Sequence, residues 1–273
     1  MTGHLIRCAA IATAPVLALS ACGASVPSGM PSGPPGTAGA SSSASSRLTV
    51  FAAASLTGSF TDIGRDFEAA HPNTTVTFSF GSSATLATQI NQGAPADIFA
   101  AASGTTMKTV SDAGNIAGQP VTFATNTLEI AVPKGNPGRI TGLTDFADAD
   151  KTIALCAPQV PCGAAATTVF DEAGITPRPD TLESDVKATL QKVQLGEVDA
   201  ALVYRTDVIA AGDQVEGIEF PEASRAVNTY PIATVKASPT RPAGTAELAQ
   251  QFVDYVVSPA GERVLTAAGF ARP

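Results

Sequence analysis

One short stretch constrains this chain more than any other. Val50-Phe51-Ala52-Ala53-Ala54-Ser55-Leu56-Thr57 begins as an apolar run, which reads as a buried strand, and that run stops at Ser55. Phe60, Ile63 and Phe67 follow at i, i+3 and i+7, the spacing of an amphipathic helix. Ser55 therefore sits where a strand ends and a helix starts, beside backbone N–H groups that have no partner within the helix. Its hydroxyl can cap that helix or face a ligand. Most such corners bind nothing, but their free N–H groups suit an anion.

The same alternation continues along the chain. Thr75-Val76-Thr77-Phe78-Ser79-Phe80 alternates as a strand and leads into Gly81-Ser82-Ser83-Ala84-Thr85-Leu86, then a helix through Ile90 that Gly93 stops. Ala96 to Ala101 is a third strand, followed by a helix carrying Met107 and Val110 and ending near Gly114. Further strands are expected at Leu128–Val132, Thr152–Leu155, Asp199–Tyr204 and Tyr230–Val235. Helices are expected at about 164–173, closed by Gly174, from Asp185-Val186 with Leu190 and Val193 inward, and from Leu248 to Val257 before Pro259. A βαβαβα order implies an α/β fold with a largely parallel sheet covered by helices. At 273 residues, two α/β units of similar size fit better than one.

The N-terminus reads as an export segment. Arg7 precedes a brief apolar run, Ile11 through Leu19, which is too short to span a bilayer. Leu19-Ser20-Ala21-Cys22-Gly23 resembles the lipobox of bacterial lipoproteins, so residues 1–21 are expected to be removed and Cys22 to be lipidated; ordinary cleavage nearby is the alternative. Residues 22–46 are almost wholly Gly, Ser, Ala and Pro and form a flexible tether between anchor and domain.

Catalytic equipment is sparse. Of the two histidines, His4 lies in the export segment and His71 follows an amphipathic helix as a solvated terminal residue. No cluster has metal-ligand spacing, so an enzyme here would have to work without a histidine base. The net charge of −8, with no lysine or arginine run, argues against nucleic acid and anionic membrane surfaces as partners. Cys156 and Cys162 flank a proline-bearing loop, and in an exported chain a disulfide is the main reading. Free thiols or a metal site are the alternatives, although two ligands make a poor zinc site. Four corners repeat the opening pattern: Ser55, Ser82-Ser83, Pro161-Cys162-Gly163 and Ser184-Asp185-Val186, with the Tyr204 phenol ending a further strand. Converging helix N-termini and neutral donors suit a small tetrahedral oxyanion bound outside the carboxyl ends of strands.

These pieces stand in a recognisable order. Thr49 to Leu56, Gly81 to Leu86, Gly93 to Phe99, Val160 to Gly163, Asp185-Val186, Leu202 to Tyr204 and Gly269-Phe270 together resemble the periplasmic molybdate-binding proteins of ABC importers, the ModA family, from about Leu48 to the end. The cysteine pair and lipobox are similar to the actinobacterial lipoprotein branch. The resemblance implies a two-lobed periplasmic binding protein fold of type II, a Venus flytrap, with a mixed, largely parallel sheet in each lobe and a two-crossing hinge. Lobe 1 would be 47–126 plus 232–273, and lobe 2 would be 127–231. The implied ligand contacts are the hydroxyls of Ser55, Ser83 and Tyr204 and the backbone N–H groups of Cys162 and Val186. Cys162 departs from the alanine that the family often has, a change that a backbone donor tolerates. Asp185 reads first as a helix cap and second as a ligand neighbour.

The same resemblance implies capture of molybdate or tungstate and delivery to the permease and ATPase of an ABC importer. The protein would be a non-enzymatic monomer without a cofactor, meeting molybdenum only inside the bound oxyanion. It would sit outside the cell membrane, anchored through Cys22. Three rivals remain open: the same architecture tuned to sulfate or phosphate, a thiol-redox enzyme using Cys156 and Cys162, and a structural lipoprotein with no ligand.

Overall fold

The computed structural model describes residues 45–236 and 241–273, so the expected export segment, Cys22 and most of the tether lie outside the described residues. The first strand, β1 (Ser46–Ala53), is buried on both faces. Val50 and Ala52 pack into the cluster that holds Phe60, Ile63 and Phe67 of α1 (Thr57–Ala70), while Phe51 packs on the other face. A strand buried on both sides reads as a continuous apolar run, which is what the sequence has.

The chain continues through β2 (Thr74–Gly81), α2 (Ser83–Asn91), β3 (Ile98–Ala100), α3 (Gly104–Asp112) and β4 (Ile116–Asn126). After the single residue Thr127 it enters β5 (Leu128–Pro133), and then β6 (Ile153–Cys156), α4 (Pro161–Ala173), β7 (Thr181–Glu183), α5 (Val186–Gln194), β8 (Ala200–Tyr204), α6 (Arg205–Ala211) and β9 (Val215–Ile218). It returns through β10 (Asn228–Val235) to α7 (Thr245–Val256) and α8 (Pro259–Ala267). Two five-stranded sheets result, with strand orders β2-β1-β3-β10-β4 and β7-β6-β8-β5-β9. Each sheet forms one lobe, and the chain crosses between them at Thr127 and again between β9 and β10.

Both sheets are mixed and largely parallel, with four of the five strands in each running the same way. β1 pairs in parallel with β2 and β3, and β6 with β7 and β8. The strand that enters each sheet straight after a crossing runs the other way: β10 is antiparallel to β3 and β4, and β5 to β8 and β9. The expected lobe boundary at 231/232 also moves. Asn228 to Pro231 already pair with β4 of the first sheet, so a boundary at 231/232 would cut β10 in two.

Several elements escaped the sequence reading. β4 was hidden by Gly118 and Pro120, yet it lies at the edge of its sheet, where a missing donor is tolerated. Pro259 reads as a helix stop but starts α8, with the Ser258 hydroxyl accepting from the N–H groups of Ala260 and Gly261. β7, α6 and β9 are short and carry little periodic signal. His71 is half-buried rather than solvated, because its ring stacks on Phe67 at 3.9 Å.

Phe60 is fully buried, and its ring meets Phe78, Phe123 and Phe252 with centroids 5.7–6.3 Å apart. Replacing it opens a cavity bounded by both a sheet and helices. Phe60→Ala is expected to destabilise the protein by about 3–5 kcal/mol, measured by urea unfolding.

Candidate functional site

Five parallel strands end against the cleft between the lobes. The corners after β1, β2, β6 and β7, and Tyr204 at the end of β8, line a single cavity with an empty volume of about 220 Å³. Ser55, Ser83, Cys162, Asp185, Val186 and Tyr204 all lie on its wall.

Each corner is shaped by local sequence. After β1 the chain turns through one 3₁₀ turn, Ala54–Leu56, before α1, and Ala53 and Ala54 line the cavity with small residues. Ser82 precedes α2 and Ser83 opens it. Pro161 occupies the first position of α4, where its missing N–H costs nothing, and leaves Cys162 next in line. A disulfide joins Cys156 at the end of β6 to Cys162, with Cα atoms 5.8 Å apart, and staples this helix start to the strand that precedes it. Gly163 is required here, since a Cβ at that position would overlap the Ala157 carbonyl.

Asp185 caps α5: its Oδ1 accepts from the N–H groups of Lys187 at 2.9 Å and Ala188 at 3.0 Å. The Val186 N–H ahead of them belongs to the first turn, whose donors have no partner within the helix. The Cys162 N–H is at the second position of α4, behind Pro161, and belongs to the same kind of first turn. Thr189 ties the two second-lobe corners together, its hydroxyl donating to the Asp185 carbonyl at 2.9 Å and lying 3.2 Å from Cys156 Sγ.

Among the cavity-lining residues there is no lysine, arginine or histidine. The nearby Lys187 ammonium is committed to Asp207 at 2.9 Å, a carboxylate with no exposed surface. Burial pushes the Asp207 carboxyl up, while Lys187 and the Tyr204 N–H pull it back. Burial also holds the Tyr204 phenol well above its ordinary range, with Tyr230 and Asp207 adding to the effect. Apart from the Asp185 carboxylate, whose Oδ1 caps α5, the cavity presents neutral hydroxyls and backbone dipoles, which stabilise an anion without ionising any group.

Sequence reading missed a second row of polar groups behind this wall. Tyr230 OH lies 3.0 Å from Ser55 Oγ, Asn126 Nδ2 lies 3.4 Å from Tyr230 OH, and Asn228 Nδ2 lies 3.0 Å from Tyr204 OH. Nothing local in the sequence signals these contacts. The hydroxyl of Ser82 was flagged only as part of a pair; it is buried on the cavity wall and has no hydrogen-bond partner among the described residues.

Comparison with known proteins follows the geometry. A family model described as bacterial extracellular solute-binding protein matches residues 48–271. The chain is 43% identical over 258 residues to the molybdate-binding protein ModA of Mycobacterium tuberculosis (strain ATCC 25618 / H37Rv), with 94% of each chain covered. Among solved structures it is similar to the periplasmic molybdate-binding protein of Azotobacter vinelandii, with 22% identity, a TM-score of 0.72, and coverage of 83% of this chain and 99% of that one. It is also similar to the sulfate-binding protein SubI from M. tuberculosis H37Rv, with 16% identity, a TM-score of 0.71, and coverage of 83% and 87%. Both structural likenesses concern the fold alone, which is therefore shared by proteins named for two different tetrahedral oxyanions.

The cap on α5 is separable from any ligand contact. Asp185→Ala is expected to lower stability by about 1 kcal/mol through loss of two capped N–H groups, and Asp185→Ser to recover part of it. Thermal unfolding without ligand measures both.

Proposed function

Because the chain belongs to the family of bacterial extracellular solute-binding proteins, we propose that it captures molybdate, and tungstate as well, in the cleft between its lobes and hands it to an ABC importer. The observation that carries this reading is the cavity itself. Hydroxyls and helix N-termini from both sheets converge on a single cavity, with no cationic side chain in its wall. Ser55 and Ser83 supply hydroxyls from lobe 1, and Cys162 and Val186 supply backbone N–H groups from lobe 2. Tyr204 adds a phenol, and the unpartnered Ser82 hydroxyl is a further donor at the same wall. The oxyanion is cargo, not cofactor.

Donors from both lobes make the bound ion a bridge, so ligand favours the closed state by its differential contacts. The closed form then docks on the membrane permease, whose ATPase drives import. Working as a monomer, the protein is exported and held at the outer face of the cell membrane through Cys22 and the 22–46 tether. Sulfate and phosphate are the competing ligands. Sulfate is a smaller dianion, and donors spaced for the larger ion lose contact with it. Phosphate carries a proton at neutral pH and needs an acceptor, for which Asp185, already capping α5 through Oδ1, is the candidate on the wall.

Calorimetry on the purified protein with molybdate, tungstate, sulfate and phosphate in turn tests the reading. Heat of binding is expected for the first two; a clear signal for sulfate with none for molybdate would overturn it. Ser55→Ala and Ser83→Ala are each expected to weaken molybdate binding by about 1–3 kcal/mol, because a buried ligand oxygen loses its donor. Unchanged affinity in both variants would place the ligand elsewhere.

A further inference from the structure

Behind the cavity, three polar side chains restrict which way the site's hydroxyl protons point. Asn126 Oδ1 accepts the Thr127 N–H at 3.0 Å, so its amide nitrogen faces Thr206 Oγ1 at 2.8 Å and Tyr230 OH at 3.4 Å. Asn228 directs its amide nitrogen at the Ala102 carbonyl at 2.8 Å, a group that only accepts, and at Tyr204 OH at 3.0 Å. An amide NH₂ donates and cannot accept. Both phenol oxygens are therefore acceptors toward these amides, and each phenol proton must point elsewhere. Burial pushes both phenols up, so both protons stay on.

Tyr230 has two other hydroxyl neighbours, Ser55 Oγ at 3.0 Å and the Tyr204 phenol. Once Ser55 accepts there, its own proton is free for the cavity. Tyr204 lines the cavity, so its proton can turn to the Tyr230 phenol or to the cavity, and an anion held there draws it to the cavity. Ser83 reaches the same condition through the backbone, because its Oγ accepts the Ala102 N–H at 3.0 Å. Asn126 and Asn228 stand opposite each other in the β4–β10 register, one beside each crossing of the chain. The side chain at each crossing therefore also serves the site.

Resting on the oxyanion reading above, we infer that Asn126, Tyr230 and Asn228 are positioning residues that aim the Ser55 and Tyr204 hydroxyl protons into the cleft. None of them reaches the ligand; they act only through the hydroxyl each one orders. A partner that only filled space would affect stability without depending on that hydroxyl.

Double-mutant cycles read by molybdate calorimetry separate these cases. Tyr230→Phe is expected to weaken binding by roughly threefold to tenfold in the otherwise unchanged protein and to have little effect in a Ser55→Ala background. Asn228→Ala should behave likewise, its effect vanishing in a Tyr204→Phe background although its bond to the Ala102 carbonyl is lost in both. Tyr230→Phe combined with Ser83→Ala should be additive. Effects that persist in full in the Ser55→Ala and Tyr204→Phe backgrounds would overturn the inference while leaving the function intact. Thermal midpoints are recorded for every variant; should Asn228→Ala fail to fold, the Tyr230→Phe cycle decides alone. Absence of molybdate binding by the unchanged protein would instead remove the functional reading on which the inference rests.

Discussion

A dianion in a cavity without a cationic side chain has to be held by dipoles, and a dipole holds a charge only when it is aimed. The rest of this structure follows from that requirement. Helix N-termini are aimed by the strands that feed them, which is why the cavity lies at the carboxyl ends of parallel strands in both sheets. Hydroxyls have no such backbone constraint and rotate freely unless something else fixes them. In this protein their neighbours are buried amides, phenols and one backbone N–H.

Small residues and covalent staples serve the same end. Ala53 and Ala54 keep side-chain bulk out of the corner at Ser55, and Gly163 lets α4 start directly against the loop that precedes it. The disulfide between Cys156 and Cys162 then fixes that loop, limiting how far the Cys162 N–H can swing. A staple at this point acts on the one corner whose first helical residue, Pro161, contributes no N–H of its own. Rigidity here reduces the entropy lost when a ligand orders its donors.

The sequence made the front of this site legible and left its back dark, for a physical reason. Ser55, Ser83, Cys162 and Val186 announce themselves because a corner is a local object: an apolar run, a hydroxyl or small residue, then helical spacing. Tyr204 is visible as the polar end of an apolar strand. Tyr230, by contrast, meets Ser55 across 175 positions and Asn126 across 104, and Asn228 meets the Ala102 carbonyl across 126. No window of sequence contains both members of such a pair. The same locality explains the fold. Strands buried on both faces were evident from their apolar runs, whereas β4 was masked by Gly118 and Pro120 because an edge position forgives residues that a central strand would not.

One apparent contradiction remains: a site for an anion has a buried carboxylate, Asp207, close behind it. Its charge must be paired, since an isolated buried carboxylate is costly, and Lys187 at 2.9 Å pairs it. The pairing also occupies the ammonium of Lys187, the residue after Val186 on the cavity wall, which on its own would attract any anion regardless of shape. What field remains from Asp207 acts on the phenols, raising both Tyr204 and Tyr230 and favouring their protonated, donating forms. The ion pair therefore leaves selection to the geometry of neutral donors. Under the proposed function, size and shape of the oxyanion, rather than its charge alone, would decide whether the cleft can close on it, because donors from both lobes have to reach it.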